Sequence, residues 1–176
     1  MIIQIETQRL LLRQWQASDY LPLAELNADS QVMQYFPNCL TSEESYWLAQ
    51  RLQQLIEQQG WGFWALELKS SGAFIGFTGL NKPTAPFEFN PCIELGWRLA
   101  RAFWGYGYAT EAAQAALHFG FEQLKLSEIV AFTALPNQRS QAVMQRLGMK
   151  YQYDFPHPHL TLDHPLSQHC LYKIGM

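Results

Sequence analysis

The sequence predicts a mixed α/β domain in which helices pack on one twisted sheet. Three observations carry that expectation. Apolar residues make up 48% of the 176-residue chain and charged residues only 15%, which fills a core and excludes general disorder. Short aromatic and β-branched runs alternate with segments whose apolar residues recur at helical spacing. Capping residues and glycines stand where those segments would begin and end. The length suits one domain over 1–176.

Residues 5–14 read as the first strand, around Arg9-Leu10-Leu11-Leu12-Arg13. Ser18 offers an N-cap for a short helix through Leu21, Leu23 and Leu26, and Pro37 ends the segment that follows. Thr41 and Glu44 make a T-x-x-E capping box. Behind it Leu48, Leu52, Leu55 and Ile56 recur at helical spacing, and Gly60 is the expected stop. Residues 62–68 and 74–80 flank Ser70-Ser71-Gly72, a hairpin signal, and the proline-rich stretch 82–91 reads as a loop.

A further strand covers 93–99. A helix runs from about 110 to 124, with Ala112, Ala113, Ala116, Leu117 and Gly120 on a face small enough to lie close to a sheet. Residues 128–135 form a strand. Asn137 caps a second short helix carrying Val143, Met144 and Leu147, which Gly148 closes. Residues 150–155 and 170–174 are the last two strands, joined by a loop of Pro and His.

Net charge is −3 with no block of like charges, so no polycationic footprint for nucleic acid or anionic lipid is present. The three cysteines, Cys39, Cys92 and Cys170, are odd in number and far apart, which argues against a disulfide scaffold and for a reducing compartment. The stretch Met1 to Trp15 alternates apolar and polar residues and has the character of neither a signal peptide nor a membrane span. A soluble cytoplasmic protein is the expectation.

The most informative stretch is Trp104-Gly105-Tyr106-Gly107-Tyr108-Ala109-Thr110-Glu111, directly after a strand and before a helix. Glycine can take positive φ, and the first turn of a helix has unpartnered N–H groups at the positive end of its dipole. Together these make a site for a phosphate or pyrophosphate; the plainer alternative is a tight strand-to-helix turn. No G-x-x-x-x-G-K-[ST] is present, which disfavours a P-loop nucleotidase. A dinucleotide fold would want a third glycine where Thr110 stands and an acidic residue at the end of the next strand. That fit is poor.

Taken over nearly its full length, the chain resembles the GNAT superfamily of acyl-CoA-dependent N-acyltransferases, and within it the ribosomal-protein N-terminal acetyltransferases and their relatives. Thr7-Gln8-Arg9-Leu10-Leu11-Leu12-Arg13 is similar to that group's T-x-R-L-x-L-R first strand, and Ile93-Glu94-Leu95-Gly96-Trp97 to its E-[IL]-G-[YW] fourth strand. Trp104 to Ala109 is similar to the pyrophosphate loop. Asn137 to Ser140 with Leu147-Gly148-Met149 is similar to the N-x-x-S … L-G-[FM] element. Each motif is loose alone; four in order and spacing are specific. The resemblance implies a mostly antiparallel sheet of about seven strands, helices on both faces, and fourth and fifth strands that splay apart. It also implies acetyl-CoA as cosubstrate, an amine as acceptor (a protein N-terminus or a small molecule), no metal, and a monomer or homodimer. Two departures stand out: Trp104 replaces the usual Gln or Arg, and Met144 stands where many members place a tyrosine that protonates the leaving thiolate.

Attack of an amine on a thioester requires a neutral amine, so a carboxylate that takes its proton is needed. Glu94 is the candidate, mid-strand among Ile93, Leu95 and Trp97, although an alternating strand could also turn it to solvent. In the resembling family a backbone N–H of the fourth strand stabilises the developing oxyanion while pantetheine pairs with the open edge, which here means the Trp97, Arg98 and Leu99 backbone. The resemblance assigns Trp104, Gly105, Tyr106, Gly107, Tyr108, Ala109 and Thr110 to the pyrophosphate. Asn137 and Ser140 are a helix cap and a first-turn residue on their own terms. The resemblance adds a contact of Asn137 with the pantetheine amide and makes Ser140 the first choice of proton donor to the thiolate. Arg98, Arg101 and Arg139 could meet phosphates or stay solvated. His157, His159, His164 and His169, with Asp163 and Cys170, match no usual metal spacing, and the loop they share is expected to border the acceptor pocket. The reading from another class is an acyl-CoA-binding or regulatory module without turnover, which Met144 favours and Glu94 opposes.

Overall fold

The computed structural model describes residues 3–175; Met1, Ile2 and Met176, and with them the start of the alternating N-terminal stretch, lie outside the described residues. The elements run β1 (Ile5–Glu6), β2 (Leu10–Arg13), α1 (Tyr20–Ala28), α2 (Ser42–Gln59), β3 (Phe63–Leu68), β4 (Ala73–Asn81), β5 (Glu94–Leu99), α3 (Tyr108–Glu122), β6 (Glu128–Ala134), α4 (Gln138–Arg146), β7 (Lys150–Pro156) and β8 (Gln168–Gly175). The strands form one sheet in the order β1-β2-β3-β4-β5-β6-β8-β7. Neighbours are antiparallel except β5 and β6, which run parallel and meet at a single bridge, Glu94 opposite Val130. Past that bridge the two strands part, which is the expected splay.

The sheet has eight strands rather than about seven because the single strand expected over 5–14 is two. Thr7 makes the difference: its N–H donates to the Leu10 carbonyl at 2.9 Å, and its hydroxyl accepts from the Leu10 N–H at 3.0 Å. The chain turns back at Thr7-Gln8-Arg9, and β1 pairs with β2. Ser18 is not the cap of α1. It lies inside a short 3-10 turn, Ala17–Asp19, and Asp19 supplies the acceptor that holds the Gln16 N–H at 2.8 Å. Asp19 also takes two hydrogen bonds from Arg13, at 2.7 and 2.9 Å, and Arg13 reaches Glu67 at 2.6 Å. Both Arg13 and Asp19 are buried, so losing either partner would strand a charge at a penalty of about 3–5 kcal/mol. The α2 capping box forms as expected, with Thr41 and Glu44 bonded both ways and Gly60 closing the helix in the left-handed region.

Strand alternation sorts the two faces. Trp64, Thr78 and Trp97 stand opposite one another across β3, β4 and β5, and Trp64 meets Phe119 of α3 edge-on at 5.4 Å. The next residues, Phe77 and Arg98, point to the other face, where Arg98 reaches Asn27 of α1. Helices therefore cover both faces. On the α1 side, the loop between β4 and β5 lays Phe87 and Phe89 against Phe132 and Phe155, a second apolar cluster beyond the main core. Between α1 and that cluster the face of β5 carrying Glu94 and Arg98 borders a cleft.

Candidate active site

A short 3-10 turn, Arg101–Phe103, separates β5 from the glycine loop, so the loop does not follow the strand directly. Gly105 and Gly107 have φ of 83° and 82°, and Gly107 is the N-cap of α3, which begins at Tyr108 rather than near Thr110. A Cβ at Gly105 would meet nothing within 4 Å, so the left-handed backbone, not crowding, requires glycine there. Among the described residues the amides of 105–110 have no backbone acceptor. They form a cradle of donors at the positive end of a helix of 15 residues.

What fixes the cradle was not legible beforehand. Glu111, in the first turn of α3, accepts from the Thr7 hydroxyl at 2.6 Å, the Arg9 N–H at 2.9 Å and Arg9 Nε at 2.7 Å. Burial alone would raise the Glu111 pKa, but these bonds and the Arg9 charge hold it below the ordinary carboxylate value. Arg9 Nη1 also donates to the Tyr106 carbonyl at 2.9 Å, and the guanidinium lies 4.5 Å from the Tyr108 ring centre. The T-x-R-L motif thus clamps the glycine loop to the sheet. The signal was present in Thr7, Arg9 and Glu111, but they are about a hundred residues apart and no periodicity joins them.

The free edge of β5 adds a second set of backbone groups. The Ala100 N–H donates to the Ile75 carbonyl on β4 at 2.9 Å, whereas the Ile93 carbonyl accepts from Val130 on β6 at 2.9 Å. Backbone groups alternate sides along a strand, so those of Trp97 and Leu99 face the splay. The Leu99 carbonyl is taken by Nε1 of Trp104, the residue that stands in place of Gln or Arg, at 2.8 Å. Among the described residues nothing accepts from the Trp97 and Leu99 N–H groups, which leaves them to meet a ligand.

Across the splay, Asn137 caps α4. Its Oδ1 accepts from the Ser140 N–H at 3.2 Å, and its Nδ2 donates to Thr133 Oγ1 at 2.9 Å and Ser140 Oγ at 3.0 Å. Ser140 Oγ accepts there, which leaves its proton free for another acceptor. Met144 is buried and lines the same cavity. Arg139 lies 4.5 Å from the centre of the Trp104 ring, and Arg146, which sequence reading did not single out, reaches Thr110 Oγ1 at 3.3 Å. Both border the cradle. Arg101 instead pairs with Asp29 at 3.3 Å, and Tyr106 is exposed and stacks on Tyr108 outside the cavity.

One cavity of about 810 Å³ runs from the cradle, through the splay, to the other face of β5. There it meets Glu94, whose Oε2 accepts from Asn81 Nδ2 at 3.1 Å. Burial pushes the Glu94 carboxyl up to about 7, with the Asn81 hydrogen bond opposing. A base with that pKa can both accept a proton and return it near neutrality. Phe63, Phe77, Phe132, His157, His159 and His169 wall this half. Burial lowers the pKa of His157, and lowers that of His169 to about 4, so His169 is neutral at pH 7. His164 turns into its own loop, where its Nδ1 accepts from the Leu166 N–H at 3.0 Å. Among the described residues no three His, Cys, Asp or Glu side chains gather to hold a metal ion, and no helix is long and apolar enough to cross a membrane. Arg98 is placed differently from both alternatives read in the sequence. It is largely buried on the Glu94 face, between Phe36 and Phe77, with Nη1 donating to Asn27 Oδ1 at 2.7 Å.

The chain is similar to known proteins over most of its length. The family model described as an acetyltransferase (GNAT) domain matches residues 9–150. The uncharacterized N-acetyltransferase YnaD of Bacillus subtilis is 30% identical over 148 residues, 84% of this chain and 83% of that protein. The solved structure of a GNAT-family acetyltransferase from Bacillus anthracis superposes with a TM-score of 0.82 at 26% identity, over 98% of each chain. RimL, a ribosomal L7/L12 alpha-N-protein acetyltransferase solved with coenzyme A, shares the fold at a TM-score of 0.78 and 19% identity, over 99% of this chain and 98% of its own.

Proposed function

Because the chain belongs to the GNAT acetyltransferase family, we propose that it transfers the acetyl group of acetyl-CoA to a primary amine by direct attack in a ternary complex. The observation that carries this reading is the single cavity joining the amide cradle of 105–110 to the carboxylate of Glu94 through the splay of β5 and β6. The donors of the cradle suit a pyrophosphate, with Arg139 and Arg146 beside it. The free edge of β5 suits the amides of pantetheine, and the Trp97 N–H suits the oxyanion that develops on the transferred acyl group.

Glu94 takes the proton of the attacking amine, directly or through a water. Ser140, whose hydroxyl proton has no acceptor among the described residues, donates to the departing thiolate in the place of the tyrosine that Met144 replaces. A thiol of ordinary pKa, roughly 8.5, leaves tolerably near neutral pH, so this acid contributes less than the base. The acceptor is a protein N-terminus or a small-molecule amine. Three thiols without disulfide partners suit a reducing cytoplasm, as monomer or homodimer.

Thermal melts and a product assay test this together. Acetyl-CoA at about a hundred times its Kd should stabilise the fold by about 2.7 kcal/mol, with ATP and NAD far behind. Labelled acetyl-CoA should yield an acetylated amine from a panel of amines. A larger shift with NAD, or bound acetyl-CoA with no product from any amine, would overturn the proposal.

A further inference from the structure

We propose that the acceptor of this acetyltransferase carries a carboxylate, and that Arg98 binds it while Glu94 faces the amine; the inference rests on the acceptor half of the cavity being the Glu94 side. Glu94 and Arg98 lie on the same face of β5 and line the same cavity. Four residues of extended strand set their Cα atoms about 13 Å apart. Glu94 leans inward, with Oε1 3.7 Å from where a Cβ on Gly96 would sit. Between them the floor is aromatic: that same Cβ would stand 2.9 Å from Phe63 Cε1, and Phe77 pairs with Arg98 across β4. The geometry suits an apolar body with an amine at one end and an anion at the other.

The charge balance says which anion. Arg98 is largely buried and makes one hydrogen bond, to the neutral amide of Asn27, which is itself held by Ser45. Among the described residues it has no carboxylate in ion-pair distance. Two buried side-chain nitrogens there lack a partner, Arg98 Nε and His169 Nδ1, and both residues line this cavity. Burial lowers the Arg98 pKa only to about 10, so the cation persists at neutral pH. A largely buried cation without a counter-charge is unfavourable. Nε is closed off by packing, Nη1 is taken by Asn27, and Nη2, which has no partner among the described residues, is left to meet a carboxylate oxygen from the cavity. Polyamines, which would set a second cation against Arg98, are poor acceptors on this account.

The test uses the full-length protein with acetyl-CoA and a matched pair of amines, phenylethylamine and para-(aminoethyl)benzoate. A hydrogen-bonded charge pair should raise kcat/KM for the carboxylate by about 10–100-fold. Arg98→Gln should bring that ratio to near one, and Arg98→Lys should restore part of it. A purely structural role would lower both amines alike and leave the ratio standing. An acidic tripeptide amide and its neutral twin show whether the favoured carboxylate belongs to a peptide or a small molecule. Without any turnover, para-ethylbenzoate should bind the parent saturably by tryptophan fluorescence and fail to bind Arg98→Gln. If Arg98→Gln does not fold, the parent's ratio and Arg98→Lys decide. A parent that shows neither preference nor benzoate binding, or a preference that survives Arg98→Gln, overturns the inference. Arg98-dependent benzoate binding with no amine acetylated would instead overturn the proposed transfer and leave the anion site standing.

Discussion

The two halves of the cavity are built from different material. On the α3 side most donors are main-chain amides, those of 105–110 and the free edge of β5, with Arg139 and Arg146 at the rim and side chains such as Arg9 and Glu111 holding the loop from behind. On the α1 side the groups are side chains from β3, β4, β5, β6, β8 and the loop of 157–167, converging on Glu94. A backbone site gives the same donors whatever side chains it carries, so it suits a cosubstrate common to a family. A side-chain site changes with each substitution, so it suits an acceptor peculiar to one member. Binding should therefore answer to changes on one side and turnover to changes on the other.

Glu94→Gln should separate the halves most sharply. Removing a general base lowers kcat by about 10²–10⁴-fold, while acetyl-CoA affinity by calorimetry stays close to the parent value. Weakened acetyl-CoA binding with an unchanged rate would merge the two regions and give Glu94 a structural role. The reciprocal change is Gly107→Val. It forces a β-branched residue into the left-handed region at about 1–2 kcal/mol or more, so Kd for acetyl-CoA should rise about tenfold while turnover at saturation changes little. Arg9→Met should act in the same direction without any contact with the ligand, because it frees the loop that Arg9 and Glu111 clamp.

Smaller effects are expected where the halves meet. Ser140→Ala should slow turnover only a few-fold, about the worth of one neutral hydrogen bond, and Met144→Tyr should retain activity or raise it. Asn137→Ala loses a cap worth about 1 kcal/mol and should mainly weaken acetyl-CoA binding. A pH-rate comparison of the three variants checks this. If Ser140→Ala matches the parent throughout, water protonates the thiolate. A last effect falls on stability rather than on turnover. Burial raises the Glu94 pKa from 4.5 to about 7, so the folded protein holds that proton more tightly than the unfolded chain. The stabilisation is full below the unfolded value and is lost as pH rises through about 7. Glu94→Gln should therefore melt higher than the parent at pH 8, by about 1–3 kcal/mol, and near the parent at pH 5.

The same contrast explains how much could be read in advance. The glycine turn, the α2 capping box and the Asn137 cap are local: each is a few adjacent residues whose backbone needs are visible in their types. Glu94 was legible as a carboxylate among apolar strand residues, but alternation left open whether it faces solvent or a cleft, and the packing of Asn81 and Phe63 around it settles that. Arg98 was not legible, because whether it meets phosphate, solvent or neither depends on Asn27, Phe36 and Phe77, three segments with no shared pattern. The break between β1 and β2 was missed for a smaller reason. Thr7 reads as a strand residue by type, and only its hydroxyl bond to Leu10 and the pull of Glu111 on Arg9 turn the chain. The 3-10 turn before the glycine loop and the transfer of the α1 cap from Ser18 to Asp19 are of the same kind, since Arg13 had to be placed before Asp19 could be.

The separation of the halves is tested most directly by the pH dependence of kcat/KM for the amine, measured alongside acetyl-CoA binding at each pH, for the parent and Glu94→Gln. The account predicts a parent profile that rises through a limb near pH 7, where Glu94 loses its proton, over a binding constant that stays flat. In Glu94→Gln that limb should vanish, and its deficit should narrow at high pH as the amine becomes neutral unaided. A variant that keeps the limb near pH 7, or loses acetyl-CoA binding in step with its rate, would contradict it.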